Sequence, residues 1–276
     1  MKPFNMLRFI FSFFCLLLFT TGYSQQQNWK ELWSLEIDPM AIWDIDPIQQ
    51  SIIYQNQSIQ KRDAKGQMML QESFKSLGTI HKIDAQNPLK IALFSEDQQR
   101  ICFLDNALAL QGECINLSDL NVSLAASMSA SIQTDRIWIY DEPNSKIELI
   151  TLRNGQGQQV QNVKGLLDMK SIVNMQEIDN RLYLFDEINQ VAWFDQFGNF
   201  IDVATLPPNK PIYPIQDYFL VAEGKNIQTL DINSEVVSVF FTGDSLIDSD
   251  IVKMEVSGDR LYIQTQKKLW CFRMVK

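Results

Sequence analysis

A short apolar run recurs along this chain at nearly regular intervals, and this repeat constrains the fold more than any other feature. Successive runs start 40, 46, 45, 36 and 43 residues apart, at Ser51, Ile91, Ile137, Leu182, Tyr218 and Leu261. A polar turn follows each of the first five runs, beginning at Asp63, Asp105, Arg153, Asp195 and Asp231. Because two independent markers keep the same order and similar spacing, the chain indicates six copies of one structural unit.

Each unit is predicted to hold four short strands. In the fourth unit these are SIVNMQEI, RLYLFD, QVAWFD and FIDVATL, separated by polar turns. Branched and aromatic residues favour strands, whereas Asp, Asn and Gly favour tight turns. A helical turn is predicted only within residues 161–169. Four-stranded antiparallel units at this period predict an all-β fold, a six-bladed β-propeller.

The two ends of the chain are predicted to close the ring. The last unit runs out after three strands, and the segment LWSLEID at residues 32–38 offers a spare strand before the first full unit. That strand would complete the last blade and remove an exposed sheet edge. A seventh, irregular blade is the alternative.

The segment FDQFGNFI at residues 194–201 resembles the FDxxGxxI ending of blades in six-bladed propellers of the NHL and TolB-like type. The N-terminal segment and the glutamines after it also resemble secreted propellers of Bacteroidota. The resemblance covers nearly the whole mature chain but concerns architecture alone. It carries over no functional residues, and the Trp-Asp and Gly-His marks that WD40 blades repeat are missing.

The N-terminus has the pattern of a signal peptide. Lys2 and Arg8 precede the apolar run FIFSFFCLLLF, and Gly22 and Ser24 provide small residues before a cleavage site. The apolar run is too short for a membrane-spanning helix. We therefore expect residues 1–24 to be removed, no membrane span in the mature chain, a single propeller domain over residues 25–276, and a periplasmic or secreted location. An uncleaved N-terminal anchor is the alternative.

The mature chain would be strongly acidic. Without Lys2 and Arg8 it keeps 22 basic and 33 acidic residues, a charge near −11. Such a chain repels phosphate backbones, and no basic stripe with interleaved aromatic residues is present. Nucleic acid is therefore excluded as an expected partner.

Three cysteines remain after cleavage, so one internal disulfide and one free thiol are the most that the mature chain holds. Cys102 and Cys114 flank a predicted turn, which makes a cross-strand disulfide geometrically possible; two buried thiols are the alternative. Cys271 is the third cysteine, and no C-x-x-C motif is present.

The chain has one histidine, His81. A zinc-hydrolase site usually needs two or more imidazoles, and no G-x-S-x-G segment accompanies His81. Its neighbours, TIHKID, are typical of an innermost blade strand. A structural histidine is the favoured interpretation and a catalytic one the alternative.

Carboxylates recur in the predicted turns between the second and third strands of successive blades. Equivalent turns of a propeller lie on one face, so these side chains would form an acidic surface for a cation or a basic partner. The alternative is that Asp and Glu serve as turn residues. The carboxylates are Glu96, Asp97, Asp141, Glu142, Asp186, Glu187 and Glu223.

A calcium site in the central channel is a further hypothesis, because some six-bladed propellers, which this chain resembles in fold, are calcium-dependent lactonases. Asp44 and Asp46 are the strongest candidate ligands, since residues two apart share one face of a strand. Calcium needs about six to eight oxygen ligands. Other candidates on first strands are Asp84, Asn174 and Glu255.

The favoured hypothesis is an exported, non-enzymatic and monomeric propeller that binds a protein partner and needs no cofactor. Its basis is a regular blade pattern that lacks a recognisable catalytic motif. A calcium-assisted lactonase or hydrolase is one alternative, and a small-ligand or sugar-binding module is the other.

Overall fold

The structure is a computed structural model that describes residues 28–160, 162–216, 218–231 and 237–275. The predicted signal peptide, residues 1–24, lies outside the described residues. Within them, no helix is long and apolar enough to cross a membrane.

In the described part of the chain, twenty-four strands form six antiparallel sheets of four, which confirms the predicted all-β, six-bladed β-propeller. Blade 1 contains β2 (Ile42–Ile45), β3 (Ser51–Gln55), β4 (Ser58–Arg62) and β5 (Met68–Ser73). Blade 2 contains β6 (Lys82–Asp84), β7 (Ile91–Ser95), β8 (Arg100–Leu104) and β9 (Ile115–Asn116). Blade 3 contains β10 (Ala125–Ala130), β11 (Arg136–Asp141), β12 (Lys146–Thr151) and β13 (Gly157–Val160).

The second half of the ring repeats this arrangement. Blade 4 contains β14 (Ile172–Ile178), β15 (Arg181–Asp186), β16 (Gln190–Asp195) and β17 (Phe200–Thr205). Blade 5 contains β18 (Ile212–Ile215), β19 (Tyr218–Glu223), β20 (Asn226–Asp231) and β21 (Val237–Thr242). Blade 6 contains β22 (Lys253–Ser257), β23 (Arg260–Gln264), β24 (Lys268–Val275) and β1 (Asn28–Glu36).

The short helices lie in connections between blades. The predicted helical turn within residues 161–169 corresponds to the α-helix α1 (Val163–Leu167), which leads from blade 3 to blade 4. Two 3-10 turns, Lys75–Leu77 and Leu117–Leu120, were not predicted from the sequence.

Strand β1 closes the ring by pairing antiparallel with β24, from Asn28 opposite Val275 to Glu36 opposite Lys268. This confirms closure by an N-terminal strand, although the predicted boundaries of 32–38 were too late. The strand ends at Glu36 because Asp38 belongs to a turn, in which the Ala41 N–H donates to the Asp38 carbonyl.

The first strands of the blades surround the central axis and run in the same direction, since their last residues meet at one cavity. We call the end of the ring that carries the turns between first and second strands the first-turn face. The turns between second and third strands lie at the other end, because each second strand runs antiparallel to its first; Ile42, for example, pairs with Tyr54. This end is the second-turn face.

Apolar side chains fill the spaces between neighbouring blades. Ile52 and Ile59 of blade 1 pack with Leu93 and Leu104 of blade 2, and all four are buried. Burying each such side chain stabilises the fold by roughly 1.5–3 kcal/mol. The outermost strand β5 is largely exposed, so the core lies between blades and toward the axis.

The structure joins Cys102 of β8 to Cys114, which precedes β9, by a disulfide across 12 residues. The third mature cysteine, Cys271 of β24, is a free thiol in the core, and burial raises its pKa to about 11. This thiol is therefore protonated at neutral pH and packs as an apolar residue.

Candidate functional site

A cavity of about 520 Å³ opens on the axis at the first-turn face. It lies where the first strands end, so five of the six blades contribute the last residues of a strand and the start of a turn. Blades 1, 2, 4, 5 and 6 provide the lining, which is Asp44, Ile45, Pro47, Asp84, Gln86, Gln176, Glu177, Ile178, Asp179, Tyr213, Pro214, Ile215, Gln216, Glu255, Val256, Ser257 and Gly258.

Four carboxylates in the cavity wall are more than nine-tenths buried: Asp44, Asp84, Glu177 and Glu255. All four come from first strands, whose alternation turns every second side chain toward the axis. A buried carboxylate is costly unless it is paired or hydrogen-bonded, so the contacts of each one decide its role.

Two of these carboxylates connect neighbouring blades. Asp44 Oδ2 accepts a hydrogen bond from the Ala85 N–H of the next blade, at 2.5 Å. Asp84 Oδ2 accepts from the Ser129 hydroxyl at 3.0 Å and from the Ala130 N–H at 2.8 Å, again one blade further on. These bonds tie blades 1, 2 and 3 together beside the axis and hold the wall rigid.

Glu177 continues this arrangement from blade 4. Its Oε1 accepts from the Ile132 N–H at 3.1 Å, and its Oε2 accepts from the Trp138 indole N–H at 2.5 Å. Its own N–H donates to the Ser129 hydroxyl at 2.9 Å. Both carboxylate oxygens of Glu177 are thus held by blade 3.

Two lysines lie below the carboxylates, two residues earlier on their strands. The Lys82 ammonium donates to Asn174 Oδ1 at 3.0 Å and to the Met175 carbonyl. The Lys253 ammonium lies 2.8 Å from Glu255 Oε1 and 4.0 Å from the centre of the Trp43 ring. These two ammonium groups, which we call the floor, lie beneath the residues that line the cavity and are not part of that lining.

Burial shifts the proton affinity of these groups. It raises the pKa of Asp44 well above its ordinary value of 3.8, and the nearby charges of Glu255 and Asp84 raise it further. Burial also lowers the pKa of Lys82 to about 8, against the opposing effect of Asp84 and Asp44. Both shifts favour the neutral form of the group and reduce the charge that the channel encloses.

The structure separates the two strongest predicted calcium ligands. Asp44 lines the cavity, whereas Asp46 closes the turn after β2, where its Oδ1 accepts from the Ile48 and Gln50 N–H groups at 3.0 and 2.8 Å. Asn174 Oδ1 already accepts a hydrogen bond from Lys82 Nζ. Among the described residues, no group of three or more His, Cys, Asp or Glu side chains has an arrangement that could hold a metal ion. The calcium hypothesis stays a prediction without a ligand cluster.

The carboxylates predicted to form an acidic surface lie at strand ends and in turns at the second-turn face, and two of them are buried. Asp186 Oδ1 accepts from the Ile188 and Gln190 N–H groups at 3.0 and 2.8 Å. Asp141 Oδ2 accepts from the Ser123 N–H at 3.0 Å and from the Asn144 amide at 2.9 Å. Asp186 closes its own turn, which is the alternative interpretation for this set, whereas Asp141 joins its turn to the segment before β10.

Two other carboxylates of the set form ion pairs: Glu142 lies 3.3 Å from Lys164 Nζ and Glu223 lies 3.2 Å from Lys210 Nζ. Asp97 lies 3.6 Å from His81 Nε2. Such exposed pairs contribute little stability, with a median of about 0–1 kcal/mol. Glu96 and Glu187 are exposed. This face therefore mixes both signs of charge.

His81 lies just before β6, beside the turn of the second-turn face. Its Nδ1 accepts from the Glu96 N–H at 3.1 Å, and its Nε2 faces Asp97. Because Nδ1 accepts this backbone hydrogen bond, the imidazole joins the segment before β6 to the residue that follows β7. The geometry fits the structural interpretation.

Sequence reasoning missed two parts of this site. Glu177 was not considered, although it lies on a first strand. The second part is the aliphatic rim, defined as Ile48, Leu89 and Ile132, whose exposures are 57%, 67% and 55%. They occupy the turns that follow β2, β6 and β10, and the first two stand in the similar segments DPI and NPL. An aliphatic residue after Pro in two equivalent turns is a signal that the sequence does contain.

No family model and no curated protein matches this chain by sequence. Many solved structures are similar in fold. The WD40 domain of Neurospora crassa Pan2 is 8% identical with a TM-score of 0.60, and the match covers 91% of this chain and 96% of that chain. Virginiamycin B lyase from Staphylococcus aureus is 12% identical with a TM-score of 0.56, covering 84% of this chain and 80% of that chain.

A third similar structure is BBS1N in complex with ARL6DN, which is 13% identical with a TM-score of 0.51 and covers 82% of this chain and 75% of that chain. At these identities the likeness shows the propeller fold alone. It does not confirm the narrower resemblance to NHL and TolB-like propellers, which stays a prediction.

Proposed function

We propose that this chain is an exported, non-enzymatic and monomeric β-propeller that binds a protein partner in the cell envelope or outside the cell. The proposal of export rests on the signal-peptide pattern of residues 1–24. The proposal of protein binding rests on the aliphatic rim, Ile48, Leu89 and Ile132.

The rim supports this function because its side chains are both exposed and held in place. The Ile48 N–H donates to Asp46 Oδ1 and the Leu89 N–H to Asn87 Oδ1, each at 3.0 Å, so each side chain projects from a closed turn. Exposed aliphatic groups on rigid turns are typical of interaction surfaces, since they lose little entropy on binding.

Neighbouring turns are also bonded to each other. Lys90 Nζ lies 2.6 Å from Asp135 Oδ1, which joins the turns of blades 2 and 3. Gln49 Nε2 donates to the Ser257 carbonyl at 3.3 Å, which joins the turns of blades 1 and 6. Because these contacts hold the turns in one conformation, the surface is suited to bind a partner of complementary shape.

Small-ligand binding or calcium-assisted hydrolysis is the second candidate, and the cavity favours it. Its volume falls in the range of about 300–1,000 Å³ that is usual for ligand pockets, and its wall holds four carboxylates. Against hydrolysis, Asp84 and Glu177 already accept hydrogen bonds from neighbouring blades.

Site-specific photo-crosslinking in the source cells would test the proposed function. A photoreactive residue would replace Leu89 on the first-turn face or Val173 on the second-turn face, which are 67% and 58% exposed. We expect a discrete crosslinked protein from at least one site. If neither site gives one, and the purified chain instead hydrolyses lactones, the protein-binding function is wrong.

A further inference from the structure

The cavity wall presents hydrogen-bond acceptors that lack donors. Gln86 Nε2 donates to the Glu177 carbonyl at 3.2 Å, which fixes the orientation of the amide, and leaves Gln86 Oε1 buried without a partner. Asp44 uses Oδ2 to bind Ala85, and its Oδ1 accepts no hydrogen bond from the part of the chain that the structure describes. Buried acceptors of this kind call for a donor from outside.

The charges around the cavity favour a cationic donor. Asp44, Asp84, Glu177 and Glu255 form the wall, and Asp179 lies at the mouth. None of the residues that line the cavity in the described part of the chain is Lys, Arg or His. The two ammonium groups of the floor are engaged, Lys82 with Asn174 and Met175 and Lys253 with Glu255.

The aliphatic rim lies on the same face of the ring as the mouth of the cavity, in turns of blades 1, 2 and 3. Its position relative to the wall is fixed, because the Ile132 N–H donates to Glu177 Oε1 and Pro47, the neighbour of Ile48, lines the cavity. A ligand that enters the cavity from this side therefore passes an apolar surface. Small hydrophilic amines would make no use of that surface.

From the acceptors, the charge and the rim together, we propose that the cavity receives a Lys or Arg side chain of the partner protein, from a segment whose flanking apolar residues pack on Ile48, Leu89 and Ile132. The cation would donate to Asp44 Oδ1 and Gln86 Oε1, and its charge would favour ionised Asp44 over the neutral form that burial favours. This inference rests on the proposed protein-binding function and names its face and the chemistry of its partner.

Peptide selection tests this inference with the purified mature chain. The probe is a displayed library of random 12-residue peptides, followed by fluorescence anisotropy with the best synthetic peptide. We expect selected peptides to hold Lys or Arg next to large apolar residues. Replacing that cation by norleucine should weaken binding tenfold or more.

Variants of the protein assign the face. The double variant Leu89→Ser/Ile132→Ser should weaken binding of the peptide tenfold or more, as should Asp44→Asn. The matched control Val173→Ser/Ile188→Ser removes two exposed aliphatic residues from the second-turn face and should change affinity less than twofold. Melting curves of all variants show whether each one folds.

Several outcomes would overturn the inference. They are a failure to select any peptide, equal losses in the two double variants, selection of peptides without a cation, or competition by spermidine that the rim variant does not alter. A crosslink from position 173 together with any of these results leaves the proposed function standing while the inference fails. Absence of crosslinks from both faces, together with hydrolysis of lactones by the purified chain, would remove the proposed function itself.

Discussion

The two faces of the ring use carboxylates in different ways, although both place them near turns. On the second-turn face, Asp186 lies inside its turn and accepts from the N–H groups two and four residues later. Asp46 does the same on the first-turn face. By contrast, Asp44 and Asp84 lie on first strands and bridge neighbouring blades, although Asp84 Oδ1 also accepts from the Gln86 N–H two residues later, at 3.3 Å. A position on a first strand, beside the axis, places the carboxylate against the next blade.

The comparison explains why a count of turn carboxylates overestimates an acidic surface. An Asp at the start of a turn satisfies backbone donors that the strands leave unpaired. The same contact to residues two and four positions later recurs at Asp63, Asp105 and Asp195. These residues are part of the turn repeat, and they carry no information about a ligand.

Loss of ring closure should produce the largest effect, because both faces depend on it. Deletion of residues 28–36 removes β1, exposes the edge of β24 and removes Trp29, whose indole N–H donates to the Phe240 carbonyl at 2.8 Å. We expect aggregation and loss of the cooperative melt, measured by size-exclusion chromatography and circular dichroism.

The control for this deletion is a chain that starts at Asn28, which keeps the whole of β1. It should melt like a chain that starts at Gln25. If the chain without β1 stays monomeric and melts within a few degrees of its control, the closing strand contributes little and the blade 6 edge is stable alone.

The next largest effect on stability distinguishes a buried, hydrogen-bonded carboxylate from an exposed one on the second-turn face. Asp186→Ala removes the acceptor of the Ile188 and Gln190 N–H groups in a turn that is partly open to solvent, which should cost about 0.5–1.5 kcal/mol. Asp186→Asn keeps an oxygen in place and should recover most of the loss. The neighbouring exposed Glu187→Gln should change stability by less than about 0.5 kcal/mol. Equal effects at 186 and 187, measured by urea denaturation, would contradict the distinction.

The repeat predicted the fold because each blade buries the same face in the same way, so its pattern survives changes of individual residues. The boundaries of the closing strand were predicted too late in the sequence. Asp38 continues the alternation of polar and apolar residues, but it belongs to the turn after the strand.

The cavity was predictable in part. Asp44, Asp84 and Glu255 stood out as carboxylates on first strands, whereas the contact of Glu177 with Trp138 depends on the packing of two blades. Burial of Asp141 and Asp186 likewise follows from tertiary contacts that spacing does not encode.

A smaller effect concerns the pH dependence of the cavity wall. Burial raises the pKa of Asp44, so above pH 3.8 the folded chain holds this proton more tightly than the unfolded chain does. The contribution of Asp44 to stability is therefore full at low pH and declines as pH rises toward the folded-state pKa. Asp44→Asn removes this decline while its amide oxygen still accepts from Ala85.

We therefore expect the melting temperature of Asp44→Asn to gain on that of the wild type between pH 4 and pH 7. A gain of roughly 2–4 °C corresponds to about 1 kcal/mol in a chain of this size. Glu187→Gln serves as the control with the same change in net charge. A difference between Asp44→Asn and wild type that does not vary with pH would show that the Asp44 carboxyl is not desolvated as the structure indicates.

The smallest expected effect is that of calcium, and it tests whether the cavity is a metal site or an acceptor for a side chain. A ligand at one hundred times its Kd would stabilise the folded chain by about 2.7 kcal/mol. Because N–H and hydroxyl donors occupy Asp84 Oδ2 and both oxygens of Glu177, the wall has few free oxygens for a cation that needs about six to eight. We expect millimolar calcium to shift the melting temperature by less than about 1 °C relative to EDTA.

A larger rise that Asp44→Asn abolishes would instead place calcium in the cavity and favour the hydrolase alternative. A rise that survives this substitution would point to calcium binding by the exposed carboxylates of the second-turn face.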